Sequence, residues 1–165
     1  KKNYDIIINL TGYIDNQSFE KFNLNNFEKT IRVNSIIPMI IIRESIKNMV
    51  KKKWGRIINS SSIGVKFGGG DKTFNYSASK HFNEFIPKSI RELSDKNILY
   101  NVIKIGLVNT KIHKKIPNKD LKKRIKMVPM QKIADPIDIA KYICDLISEE
   151  NKFITGEVLS ISGGE

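Results

Sequence analysis

Short apolar runs, separated by segments long enough to be helices, constrain this chain most. Asp5-Ile-Ile-Ile-Asn9 is a continuous apolar run, as expected for a strand buried on both faces. Polar residues and Gly12 follow it as a loop. From about Phe27 to Val50 the apolar residues Phe27, Ile31, Ile42, Ile46 and Met49 recur at helical spacing, and Lys51 to Lys53 place positive charge where a helix dipole favours it. Gly55 leads into a second strand, Arg56 to Asn59. A glycine-rich loop reaches Phe74, and a second long helix is predicted from Tyr76 to Leu93, with Phe82, Phe85, Ile86, Ile90 and Leu93 on one stripe. Leu99 to Ile105 is a third strand. After a lysine-rich stretch to Met130, Asp135 and Pro136 start a helix, the Asp as cap and the Pro at the first helical position. Ile139, Ile143, Leu146 and Ile147 form its buried side. Thr155-Gly156 turns into a last strand, Val158 to Ile161. Strands alternating with helices of this length predict a parallel sheet with helices on both faces, in one domain spanning residues 1–165.

Composition excludes several classes. At 165 residues and 40% hydrophobic, the chain can bury a core and is neither disordered nor membrane-embedded. Its longest apolar stretch, Ile36 to Ile42, is too short to span a bilayer. The single cysteine, Cys144, excludes an internal disulfide and a multi-cysteine metal site, fits a reducing cytoplasm, and leaves no metal expected. The net charge of +12 raises nucleic-acid binding as a reading. No zinc-finger spacing, RNA-binding aromatic motif or helix-turn-helix accompanies it, so lysines spread over solvated faces are expected, with no nucleic-acid partner. A first residue of Lys1, close before a buried-looking strand, suggests a piece of a longer chain.

The chemistry concentrates in Tyr76-Ser77-Ala78-Ser79-Lys80. Four residues apart on a helix, Tyr76 and Lys80 share a face. An ammonium beside a phenol favours phenolate and brings a tyrosine towards the range useful for proton transfer. Ser60-Ser61-Ser62 ends the preceding strand, and ligands of parallel α/β sheets bind at strand C-terminal ends. A hydroxyl there can hydrogen-bond a substrate carbonyl. Pro38 has no N–H, so the carbonyl of Asn34 loses its helical partner and needs a water or a side chain. Gly64 to Gly70 fits Gly-x-x-x-Gly-x-Gly, but it lies between Ser62 and Tyr76. No acidic residue follows at a strand end to take a ribose, so it reads as a substrate-side loop.

Gly55 to Ser62, Tyr76 to Lys80, Asn101 to Thr110 and Ile154 to Gly164 resemble, in order and over essentially the whole chain, successive motifs of the short-chain dehydrogenase/reductase family, closest to its 3-oxoacyl-[acyl-carrier-protein] reductase type. The resemblance implies a Rossmann-type, doubly wound parallel sheet of which this is the C-terminal part. The glycine-rich phosphate loop would lie upstream, in two or three βαβ units of roughly 80 residues. It implies hydride transfer between NAD or NADP and a carbonyl/alcohol pair. Tyr76 would be the general acid, and Lys80 would lower its pKa and bind the nicotinamide ribose. Ser62, with Ser61 as fallback, would polarise the carbonyl, and Asn34 would hold a water next to Lys80. Asn9, Gly12, Gly106, Val108 and Thr110, with Tyr76 and Lys80, would meet the cofactor.

The chain departs from the family at Leu10-Thr11, where Asn-Ala is usual, and at Ile105, where Pro is usual. Without the phosphate loop, the 165 residues alone are expected to bind dinucleotide weakly and to be inactive. Homo-oligomers are usual in such proteins. A reductase of sugar or nucleotide-sugar intermediates and a non-enzymatic interaction module on the same scaffold are the other readings. Between Lys111 and Lys126 stand eight basic residues, Lys111, Lys114, Lys115, Lys119, Lys122, Lys123, Arg124 and Lys126, against one acid, Asp120. Placed after Thr110, they would form a lid over the strand ends and favour an anionic substrate.

Overall fold

The computed structural model describes residues 3–165, apart from the side chain of Lys114. Four strands, β1 (Ile6–Asn9), β2 (Gly55–Ser62), β3 (Ile98–Ile105) and β4 (Val158–Ile161), form one sheet in the order β1-β2-β3-β4. Every neighbouring pair is parallel, with Ile7 opposite Ile57, Ile57 opposite Tyr100 and Ile103 opposite Leu159. Parallel strands require crossovers. These are supplied by α1 (Leu24–Ile31) with α2 (Ile37–Lys52), by α3 (Phe74–Phe82) with α4 (Lys88–Arg91), and by α5 (Leu121–Lys126) with α6 (Pro136–Ile147). The fold is the Rossmann-type parallel α/β arrangement that the sequence predicts.

Alternation along β2 divides the core into two layers. Ile57 packs with Ile42 and Met49 of α2, Ile86, and Ile98, Tyr100 and Val102 of β3. Ile58 faces the other side, against Ile103, Val108 and Ile139, Ile143 and Leu146 of α6. Burying such side chains contributes about 1.5–3 kcal/mol each. Gly55 is what lets α2 sit this close to the sheet: a Cβ there would stand 2.6 Å from Met49 Sδ.

Two helices differ from the sequence reading. The segment predicted to be helical from Tyr76 to Leu93 ends at Phe82 and resumes as α4 at Lys88. Pro87 restricts Ile86 and lacks an N–H, and it starts α4 by accepting from the amides of Ile90 and Arg91. Phe82 and Phe85 consequently fall off the stripe and are exposed, whereas Ile86 is buried. The helix predicted from Phe27 begins earlier, at Leu24, where the Asn23 side chain accepts from the Asn26 amide. It also contains a π turn, Arg32–Ile36, which ends two residues before Pro38.

Among the described residues β1 pairs with β2 alone, and Ile6, Ile8 and, just beyond the strand, Leu10 are 40%, 42% and 54% exposed. Among the described residues no helix is long and apolar enough to cross a membrane.

Candidate active site

The C-terminal ends of β1, β2 and β3 open into a cleft of about 1200 Å³, roofed by the segment after Thr110. Of the residues singled out from the sequence, Gly12, Ser61, Ser62, Tyr76, Lys80, Gly106, Val108 and Thr110 line it, whereas Asn9 and Asn34 do not.

Tyr76 and Lys80 lie one turn apart on α3. The Lys80 ammonium sits 5.9 Å from the centre of the Tyr76 ring. Lys80 is only 2% exposed, and Nζ donates to Thr11 O (2.6 Å), Ser60 O (3.1 Å) and Ser60 Oγ (2.9 Å). Burial pushes the lysine down to about 8. Here the structure departs from the expected electrostatics. Burial raises the Tyr76 phenol above its ordinary value of 10, and the group that opposes this is the Ser62 hydroxyl. The ammonium's hydrogens go to backbone and serine oxygens, and desolvation of the buried phenol is the larger effect.

The three serines of β2 separate cleanly. Ser62 Oγ accepts from the Gly64 amide (3.2 Å), which fixes it beside Tyr76. Ser61 donates to Glu84 Oε1 (2.6 Å), an oxygen that Lys104 also holds at 3.0 Å. With its proton committed to that carboxylate, Ser61 is a poor fallback for Ser62. Ser60 receives Lys80, a role the sequence reading did not assign. Its only signal was its place in the serine run.

Asn34 is fully buried in the π turn. Its side chain accepts from the Tyr13 amide (2.7 Å) and donates to Tyr13 O (2.9 Å) and Ser79 Oγ (2.9 Å), so it fastens the loop after β1 onto α3. Its carbonyl, to which Pro38 cannot donate an α-helical hydrogen bond, accepts from Asn83 Nδ2 at 3.0 Å. A carbonyl oxygen has two acceptor sites, so this contact is compatible with Asn34 also holding a water next to Lys80. Asn9 lies below the cleft, donating to Asn59 and accepting from the Thr11 amide, and so shapes the loop that gives Lys80 one of its acceptors.

The glycines divide by what they leave room for. At Gly12 a Cβ would stand 3.8 Å from Tyr76 Cε2 and 3.3 Å from Ile112 Cδ1, so its bareness keeps space beside the tyrosine. At Gly106 a Cβ would meet Ser162 Cα at 2.6 Å, so this glycine permits the close exit of β3 past β4.

The basic segment folds as a 3₁₀ turn, Lys111–Lys115, and then α5. Lys111, Lys115, Lys119 and Arg124 line the cleft, whereas Lys122, Lys123 and Lys126 do not, and the last three are exposed. The Lys114 side chain lies outside the described residues. Lys119 Nζ stands 2.9 Å from His113 Nδ1, and His113 Nε2 is 2.7 Å from Val108 O. Arg124 pairs with Glu165 at 2.5 Å. Burial, then Lys119, pushes His113 below its usual range; the Val108 carbonyl opposes this, and Arg124 adds a smaller push the same way.

Comparison with known proteins bears on the fold and the family. The family model described as Enoyl-(Acyl carrier protein) reductase matches residues 2–165. A 3-oxoacyl-[acyl-carrier-protein] reductase of Aquifex aeolicus is 30% identical over 161 residues, 97% of this chain and 64% of its own length. A 2,5-dichloro-2,5-cyclohexadiene-1,4-diol dehydrogenase of Sphingobium indicum is 35% identical over 158 residues, 94% of this chain and 62% of its own. The solved structure of a 4-hydroxyisoleucine dehydrogenase mutant complexed with NADH and succinate superposes with a TM-score of 0.87 at 31% identity, covering 99% of this chain and 68% of that one. The chain thus spans about two thirds of the length of these relatives. With a matching family model over nearly every residue and the same parallel sheet, the chain belongs to the short-chain dehydrogenase/reductase family.

Proposed function

We propose that this chain carries the substrate-side catalytic centre of an NAD(P)-dependent oxidoreductase acting on a carbonyl/alcohol pair, of the 3-oxoacyl-carrier-protein reductase kind. The observation that carries this reading is the placement of Tyr76 in the cleft with the Ser62 hydroxyl at its phenol and the Lys80 ammonium behind its ring. The residues fit a nicotinamide, because Gly12 leaves the space beside Tyr76 open and Lys80, Val108 and Thr110 border the same cleft. When bound, the dinucleotide supplies or accepts the hydride.

The protein's part is position and the proton. Ser62 holds the substrate oxygen through a hydrogen bond. Tyr76, kept protonated by burial, donates to that oxygen as it gains charge. Lys80 is a cation a few ångströms away that favours the phenolate left behind. Lys111 and Lys115, lysines on the cleft wall, favour an anionic substrate or one carried on an acidic partner. A cytoplasmic setting and self-association belong to the same reading. The exposed Ile37, Met39, Ile40 and Ile41 of α2 offer an apolar surface for a second copy.

The test is a chimera in which this chain replaces the matching segment of the Aquifex aeolicus reductase. It should oxidise NADPH or NADH with a 3-oxoacyl thioester. Tyr76→Phe should lower turnover by roughly 10²–10⁴-fold with dinucleotide binding little changed. A Tyr76→Phe chimera with undiminished turnover would remove Tyr76 as the acid.

A further inference from the structure

We propose that Ser60 is the positioning residue of Lys80, held in place by Asn83, and that this link gives Lys80 a seat made by protein atoms and tied through Asn83 to the Asn34 carbonyl. The inference deepens the proposed function, since it concerns the lysine that reading places in the proton chemistry.

An ammonium has three hydrogens. In Lys80 two of the three hydrogen-bond partners come from one residue, the carbonyl and hydroxyl of Ser60, and the third is the Thr11 carbonyl. Ser60 is itself buried and cannot move without breaking the β2–β3 ladder, where it pairs with Ile103. Its carbonyl also accepts from Asn83 Nδ2 at 3.0 Å, and the other hydrogen of that amide goes to the Asn34 carbonyl at 3.0 Å. Asn83 is also buried and directly follows α3, the helix that bears Lys80. One amide therefore ties the π turn, the catalytic strand and the lysine's helix together. An amide N–H donates without ionising. The connection from Asn34 to the Ser60 carbonyl through Asn83 therefore orients groups and passes no proton. The hydroxyl of Ser60 is the partner that discriminates, because backbone carbonyls survive any substitution and the hydroxyl does not.

The measurement is the titration midpoint of Lys80 in the 165-residue chain, followed by NMR of 13C-labelled lysine, with its resonance assigned by loss in Lys80→Arg. The midpoint in the unaltered chain should lie near 8. Hydrogen bonds to a charged group favour the charged form. Ser60→Ala should therefore lower the midpoint by about one pH unit, a tenfold larger ratio of neutral to charged amine at a given pH. Ser60→Thr keeps the hydroxyl and should restore it. The nearly isosteric Ser60→Cys, a much weaker acceptor, should behave as Ser60→Ala and serves if the alanine variant does not fold. A midpoint that stays put in folded Ser60→Ala or Ser60→Cys, or that falls equally in Ser60→Thr, overturns the proposal. Because the readout needs no turnover, it stands or falls separately from the Tyr76→Phe experiment.

Discussion

The floor of the cleft and its roof are built in opposite ways. In the floor, Asn34, Ser60, Lys80 and Asn83 are all buried and almost every polar atom meets another protein atom, across residues from four separate parts of the chain. In the roof, residues 111–126, cations outnumber partners, and three of the lysines are exposed on the side away from the cleft. Buried polar groups are costly unless paired, so a floor of this kind holds one geometry. Solvated lysines impose no geometry but set a field. The site thus separates where reacting atoms stand from how a charged substrate arrives.

That contrast can be broken most forcefully at Asn34. Asn34→Ala strips partners from the Tyr13 amide and carbonyl and from Ser79, each unsatisfied buried group costing about 1–3 kcal/mol. Urea unfolding should show a loss of at least that size. Lys122→Gln in the roof should stay within about 0.5 kcal/mol of the parent. Equal losses at the two positions would dissolve the distinction.

A pH profile sharpens it next. Lys80 is depressed to about 8, so its cation is lost as pH rises through that value. In the active chimera, kcat/KM for ketone reduction should fall above about pH 8, tenfold per unit at the limit, since this parameter reports the free enzyme. The same depression has a consequence for stability. Between pH 8 and the ordinary lysine value of 10.5 the unfolded chain binds the extra proton, so this group's contribution favours the fold more as pH rises through that window. A kcat/KM profile flat to pH 10 would mean that the charge on Lys80 is not used.

The smallest effect belongs to the roof. Lys111→Gln with Lys115→Gln should lower kcat/KM several-fold for an anionic thioester at low salt and hardly at all for a neutral ketone, with the difference vanishing as salt screens the field. Equal responses from the two substrates would make these lysines ordinary surface.

Much of the framework was legible because it is local. Ile6 to Ile8, Ile57-Ile58 and Val102 announce strands by continuous apolar character, and Asp135-Pro136 announces a helix start through its own cap. Tyr76 and Lys80 share a face by spacing alone. The interruption at Pro87 was also written in the sequence, but the apolar stripe around it reads more strongly than one imino acid. Other features depend on residues brought together from afar. Pro38 signals that a carbonyl lacks a donor, but the donor that arrives, Asn83, is 49 residues from Asn34. The sign of the Tyr76 shift is similar. Spacing places a cation nearby, while burial, which the whole fold decides, pushes the other way.

The π turn at Arg32–Ile36 sets the rotational phase of the helix that follows it. A π turn is a helix that has taken in one residue more than its ladder needs. Deleting a single residue there would return the segment to the α register, apart from the one bond that Pro38 cannot donate. The same deletion would rotate everything on one side of it by about 100° relative to the other. Either Asn34 would leave Tyr13 and Ser79, or Ile42 and Met49 would leave the core. The extra residue is thus a phase adjustment, allowing one helix to face a polar floor in its first half and an apolar sheet in its second.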